Sequence, residues 1–240
     1  MQQYFVDTPL AVGREYIFTK EQAHHAGHVL HLENEIVRLV YREDGFFARA
    51  HTLNGVYSAL VEAHDEMVNE PRIDMTIALA LIRREKFELA LMKAAELGAA
   101  RIVPFESSRC VVHAKEERGR NRQERWDAIV KEAAEQCKRN RIPEVTPVAR
   151  LQDLSAYRCD WNAAAYEKAG RQALKLTDLP ESAHSVLVVI GPEGGFSPEE
   201  ADMLAGSGFA PVTLGSRILR AETAVFYSLS ALNAWTERTR

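Results

Sequence analysis

Cysteine is scarce in this sequence. Cys110, Cys137 and Cys159 are the only three in 240 residues, and no two form a CxxC pair. That pattern excludes a disulfide framework and predicts reduced thiols in a cytoplasmic protein. Long apolar runs are missing as well: none reaches the roughly 18 residues that a membrane span needs. The opening MQQYFVDTPL lacks the basic-then-apolar pattern of a secretory leader. Nor is there an excess of positive charge. The formal net charge is −4, so any nucleic-acid contact must come from a local basic patch. Internal repeats and low-complexity tracts are absent. What is present is an ordinary globular balance, 46% hydrophobic and 27% charged, in a chain long enough to bury a core without disulfide or metal staples.

The pattern changes once along the chain. The first 65 or so residues are β-rich: short apolar runs at 35–41, 46–52 and 56–63 are separated by Asp44-Gly45 and Asn54-Gly55, dipeptides that supply the positive φ of tight hairpins. A strand near 15–19 and a helix near 21–32 are expected before them. That helix carries His24, His28 and His31 on one face. No cysteine or carboxylate completes a ligand set at a recognisable spacing, so no metal site is expected. The polar stretch 64–72, with Pro71, has the composition of a linker. Beyond it, strands and helices alternate. Strands are expected at 73–81, 101–105, 185–190 and 211–214, and helices at 86–97, 123–139 and 221–238. Such alternation predicts an α/β fold with a mainly parallel sheet.

Chemistry concentrates in two places. In SVLVVIGPEGGFSPEE (185–200) a buried strand runs into Gly191, Glu193, Gly194 and Gly195. A helix follows at once, with Ser197 as N-cap, Pro198 at its first position and Glu200 closing a capping box. Glycines at the carboxyl end of such a strand allow close approach of a ligand, although a tight strand-to-helix turn would also use them. The spacing is neither a dinucleotide fingerprint nor a P-loop. In VTLGSRILRAETA (212–224) the design repeats, with Arg217, Arg220, Glu222 and Thr223 at the rim of a second loop. Basic residues gather at 115–125, including Arg118, Arg122 and Arg125, and again at Lys138, Arg139 and Arg141. A solvated helix face and an RNA-phosphate contact both fit these clusters.

IGPEGGFSPEE together with LGSRILRAETA resembles the paired motifs of the RsmE family, the 16S rRNA uridine-N3 methyltransferases of the knotted SPOUT superfamily. FELALMKAAELG (87–98) and EAAEQCKRNRIPEV (132–145) resemble two further motifs of that family in the same order, so the likeness covers nearly the whole chain. It implies an α/β protein with an N-terminal PUA-like RNA-binding β-barrel, residues 1–70. A SPOUT methyltransferase domain with a trefoil knot and a mainly parallel sheet would follow at 71–240. By the same resemblance S-adenosylmethionine is the methyl donor, framed by Tyr166, Glu167, Ile190, Gly191, Gly194, Gly195, Leu214, Gly215, Ile218, Leu219 and Thr223. The implied partners are 16S rRNA within the small ribosomal subunit and a second copy of the chain, with no membrane and no metal. Arg83, Lys86, Arg118, Arg122, Arg125, Lys138 and Arg139 are the RNA-binding candidates. The sequence departs from the family at Gln2, Gln3 and His31, where arginine is usual, and at Arg83, where lysine is.

Methyl transfer to uridine N3 is an in-line displacement at a nitrogen that gives up a weakly acidic proton. A cation near the ring oxygens would stabilise the resulting anion, which makes Arg220 the first catalytic candidate. Glu193 is the second, as a substrate-orienting carboxylate. No residue is assigned as general base. Two other readings fit the residues: an RNA-binding module that holds a nucleotide without chemistry, and a tRNA methyltransferase of the same superfamily. In the last helix Val225, Leu229, Leu232 and Trp235 form an apolar stripe. Phe226 and Tyr227 lie off it, and a dimer interface is one way to bury them.

Overall fold

A computed structural model describes residues 1–112, 119–170 and 173–238 of the chain. The chain divides into two compact units: residues 1–70 with 134–141, and residues 71–133 with 142–240.

The first unit is built on a five-stranded sheet. Strands β1 (Gln3–Phe5), β2 (Glu15–Ile17), β3 (Ile36–Tyr41), β4 (Asp44–Leu53) and β5 (Val56–Asp65) lie in the order β1-β3-β4-β5-β2. β1 runs parallel to β3 and the remaining pairs are antiparallel. A short helix, α1 (Lys20–Ala23), starts at a Thr19–Gln22 capping box and runs on as a π-helix over His24–Val29. Alternate strand residues, among them Val37, Leu39, Ala48, Ala50, Ala59 and Val61, fill the core with Tyr4, Tyr16 and Phe18.

Two expectations for this unit are corrected. Asn54-Gly55 does turn β4 into β5, with φ of 50° and 79°. The preceding turn, however, is made by Arg42 and Glu43, at φ 47° and 75°, and Asp44-Gly45 lies inside β4. Gly45 is needed for another reason. A Cβ there would sit 2.7 Å from Nη2 of Arg38, a buried guanidinium that crosses the strand at this point. Nor is the stretch 64–72 a loose linker. Asp65 is buried and accepts from Arg38 Nε at 2.6 Å, and Glu70, whose side chain is 7% exposed, accepts from Arg139 Nη2 at 2.6 Å. Arg38 also donates to Gln3 Oε1 (2.8 Å) and Asn140 Oδ1 (3.2 Å), so 134–141 is held within the first unit by charge-assisted bonds.

The second unit is an open parallel sheet. Its strands are β6 (Asp74–Ala80), β7 (Ala99–Glu106), β8 (Glu144–Val145), β9 (Ala149–Arg150), β10 (Trp161–Ala165), β11 (Leu174–Lys175), β12 (Ser185–Ile190) and β13 (Ala210–Thr213). They run in the order β11-β13-β10-β12-β6-β7-β8, with β9 also on β7. Every recorded pair is parallel. β12 and β6 are buried along almost their whole length, as expected of strands covered on both faces. The helices are α2 (Arg84–Glu96), α3 (Gly119–Gln136), α4 (Pro198–Gly206) and α5 (Ala221–Arg238). α3 stops short of the expected Arg139, and Lys138 takes up φ 64°, which cannot continue a helix. α5 packs on β6, β12 and α2, and turns Val225, Leu229 and Leu232 into the core with no exposed surface. Among the described residues, no helix is long and apolar enough to cross a membrane.

Candidate functional site

The order of the central strands places the carboxyl ends of β10, β12 and β13 side by side, since β10 pairs with both of the others. The loops that leave these ends enclose a cavity of about 420 Å3, within the range of small-molecule sites, about 300–1,000 Å3. Tyr166 and Glu167 come from the end of β10, residues 190–196 from the end of β12, and 213–221 from the loop between β13 and α5. Of the sequence-derived ligand residues, Tyr166, Glu167, Ile190, Gly191, Gly194, Gly195, Leu214, Gly215, Ile218 and Leu219 all line it, as do Arg220 and Glu193. Thr223 does not. It is exposed on the first turn of α5, while Ala221 and Ala224 present the wall in its place.

Local chemistry explains how these loops are held. Ser197 accepts from the Glu200 backbone N–H and Glu200 bonds back to Ser197 N at 2.9 Å, so the expected capping box starts α4. Glu200 also accepts from Ser108 N at 2.7 Å. Phe196 is buried and stacks at 6.5 Å on Phe105 of β7, anchoring the glycine loop in the core. Arg109 Nη1 donates to the carbonyls of Gly194 (3.1 Å) and Phe196 (3.4 Å). Sequence reasoning missed Ser108 and Arg109. SSRC has no motif character, and only the fold brings it to the glycine loop.

The glycines serve the protein's own packing first. A Cβ on Gly191 would lie 3.2 Å from the Phe196 ring, one on Gly194 3.3 Å from Arg109 Cβ, and one on Gly195 2.9 Å from Glu167 Oε1. Gly215, at φ 107°, has open space on its Cβ side, and its N–H and carbonyl both bond the Thr213 hydroxyl at 3.2 Å. The charges of the crevice are divided. Glu167 and Glu193 stand on the loops after β10 and β12, and Arg217 and Arg220 on the loop after β13. All four are exposed. Ile218 stands 86% exposed on the same loop.

The RNA-binding candidates are not brought together as one patch. Arg83 is exposed immediately before α2. Arg122 lies 5.1 Å over the Trp126 ring, and Arg125 donates to Glu88 at 2.7 Å. Arg125 is exposed and Arg122 half-buried. Arg118 lies outside the described residues. Three candidates are committed elsewhere. Lys86 Nζ is 3.5 Å from the buried Glu222 carboxylate. Lys138 is half-buried and donates to the Glu135 carbonyl, and burial pushes its ammonium below the usual lysine range. Arg139 is a correction: at 2% exposure, with its guanidinium taken up by Glu70, it cannot reach a phosphate. No group of three or more potential metal ligands is placed together among the described residues.

The parallel sheet and its glycine-rich crevice fall within residues 69–233, the stretch matched by the family model of an RNA methyltransferase domain. The chain belongs to the ribosomal RNA small subunit methyltransferase E family. The Bacillus subtilis (strain 168) protein of that name is 33% identical, with 100% of this chain and 99% of that one covered. Among solved structures, the Neisseria gonorrhoeae ribosomal RNA small subunit methyltransferase E bound to S-adenosyl methionine superposes with a TM-score of 0.88, at 27% identity over 98% of this chain and 97% of that one. A Legionella pneumophila protein solved with the cofactor SAM superposes with a TM-score of 0.86, at 30% identity, over 97% of this chain and 96% of that one.

Proposed function

We propose that this protein transfers the methyl group of S-adenosylmethionine to N3 of a uridine in 16S ribosomal RNA. The observation that carries the reading is the crevice over β10, β12 and β13, which is built from the two motif loops and divides its charges between them. S-adenosylmethionine, when bound, supplies an electrophilic methyl on a sulfonium. Its cationic groups and ribose hydroxyls suit Glu167, and its carboxylate suits a guanidinium. Leu214, Leu219 and the exposed Ile218 offer apolar surface for the adenine.

Arg220, exposed at the start of α5, is the residue we assign to the uridine. Its guanidinium holds negative charge at the ring oxygens once N3 has lost its proton, and so stabilises charge that develops in the transition state. Glu193 orients the substrate. Removing one such preorganised donor typically costs roughly 100-fold or more in kcat. Arg220→Ala is therefore expected to lower methyl transfer to small subunits by about that factor, with S-adenosylmethionine affinity by calorimetry unchanged. Loss of cofactor affinity instead would move Arg220 to the donor side.

We further infer that the first unit is the PUA-like RNA-binding barrel and that the loops after β12 and β13 belong to a trefoil knot. The domains are then 1–70 and 71–240, with 134–141 structurally attached to the former. Exposed Arg83 and Arg125, with half-buried Arg122 on α3, support an RNA contact in the second unit. The protein acts in the cytoplasm on the small ribosomal subunit, as a homodimer. Phe226 packs against the core, so the argument for a partner rests on Tyr227, which is 46% exposed on α5. Light scattering is expected to report a dimer that Tyr227→Asp weakens. A monomeric parent with full activity would remove the dimer from the account.

A further inference from the structure

The first unit has a cavity of its own, about 760 Å3, which shares no lining residue with the crevice. Its wall is formed by α1, the π-helix and the β4–β5 hairpin. His24, His28 and His31 line it and are exposed, with Lys20 at the start of α1 beside them. The His24 and His28 rings lie 5.5 Å apart at 34°, an open pair of tilted aromatic faces. The only carboxylate on the wall, Glu33, is held by the Thr52 backbone N–H at 3.2 Å and the Thr52 hydroxyl at 3.3 Å.

The backbone is unusual here in two respects. π-helical turns are rare and are found frequently at functional sites. His31 takes φ 53°, a left-handed conformation of the kind that persists where surrounding structure enforces it, as at ligand clamps. Leu53 and Val56, on either side of the lining Gly55 hairpin, are exposed at 51% and 47%, so apolar surface borders the polar wall. Imidazole rings stack on bases and donate and accept hydrogen bonds, and an ammonium attracts phosphate.

We propose that this cavity binds one unpaired nucleotide of the RNA substrate, distinct from the uridine that is methylated. The base lies against the His24 and His28 rings, and Lys20 meets its phosphate. The proposal rests on the RNA methyltransferase reading and adds to it a second RNA contact.

The test uses the full chain with a single-stranded RNA carrying 4-thiouridine, crosslinked by light and mapped by mass spectrometry. Crosslinks are expected within residues 20–33. The double variant His24→Ala/His28→Ala, and separately Lys20→Ala, should lower RNA affinity about tenfold, the scale of one lost stacking contact. S-adenosylmethionine affinity and circular dichroism should match the parent. All three side chains are exposed, so folding is not at stake. Crosslinks elsewhere, with parental RNA affinity in both variants, would overturn the pocket and leave methyl transfer standing. Displacement of the RNA by equimolar free uridine monophosphate would also overturn it, by marking a mononucleotide site. Crosslinking at 20–33 by a protein that methylates no RNA would support the pocket and sink the methyltransferase reading instead.

Discussion

Single residues control the crevice through the loop they hold. Arg109 reaches from the loop after β7 to two carbonyls of the glycine loop, and those bonds fix where the Gly194 and Gly195 backbone lies. A neutral intramolecular hydrogen bond contributes about 1 kcal/mol, and one with a charged donor more. Arg109→Ala is therefore expected to weaken S-adenosylmethionine binding by about tenfold, and Arg109→Lys should recover part of that loss in calorimetry. Unchanged affinity in the alanine variant would show that Phe196 alone positions the loop. Substituting Gly191 is a poorer test of ligand contact, because any side chain there meets the Phe196 ring before it meets a ligand.

At the scale of elements, the buried pairs of the first unit decide its stability. Burial is the largest single influence on the Asp65 carboxyl and would raise it, but the hydrogen bond and charge of Arg38 together with the Met67 N–H outweigh burial and hold the carboxyl below the usual range. A carboxyl depressed on folding contributes stability above its unfolded pKa and loses that contribution as pH falls through the folded one. Thermal unfolding of the first unit should therefore shift to lower temperature as the pH is taken below the ordinary carboxylate range. Asp65→Asn should flatten that acid limb. Arg38→Ala, which leaves Asp65 buried without its cation, is expected to destabilise by about 3–5 kcal/mol. A loss below about 1 kcal/mol in denaturant titration would mean that the network is solvated. These bonds also explain what the sequence conceals. The periods of β3, β4, β12 and α5 follow from local apolar spacing, and the capping box from Ser197 and Glu200 alone. Arg38, Asp65, Glu70 and Arg139 read as surface charges because their partners lie up to about 100 positions away. Gly45 reads as a turn glycine because the guanidinium beside it leaves no local trace. The crevice residues were legible because both loops are continuous stretches of chain. Arg109 was not, since it arrives from another strand.

At the scale of the whole molecule, the two units are interleaved in sequence, since 134–141 returns to the first unit. A cut after Glu70 separates that carboxylate from Arg139 and Arg141. The isolated fragment 71–240 is thus expected to expose the 134–141 segment and to melt at lower temperature than the full chain, by calorimetry. Equal melting temperatures would show that this segment finds other partners in the fragment. Small ribosomal subunits lacking the modification, incubated with the protein and S-adenosylmethionine, should gain one methyl group on N3 of a single 16S rRNA uridine. Nuclease digestion and mass spectrometry would locate it, and Arg220→Ala should leave the site largely unmodified. Cofactor binding with no methyl on the rRNA, or a methyl found on transfer RNA alone, would contradict the account.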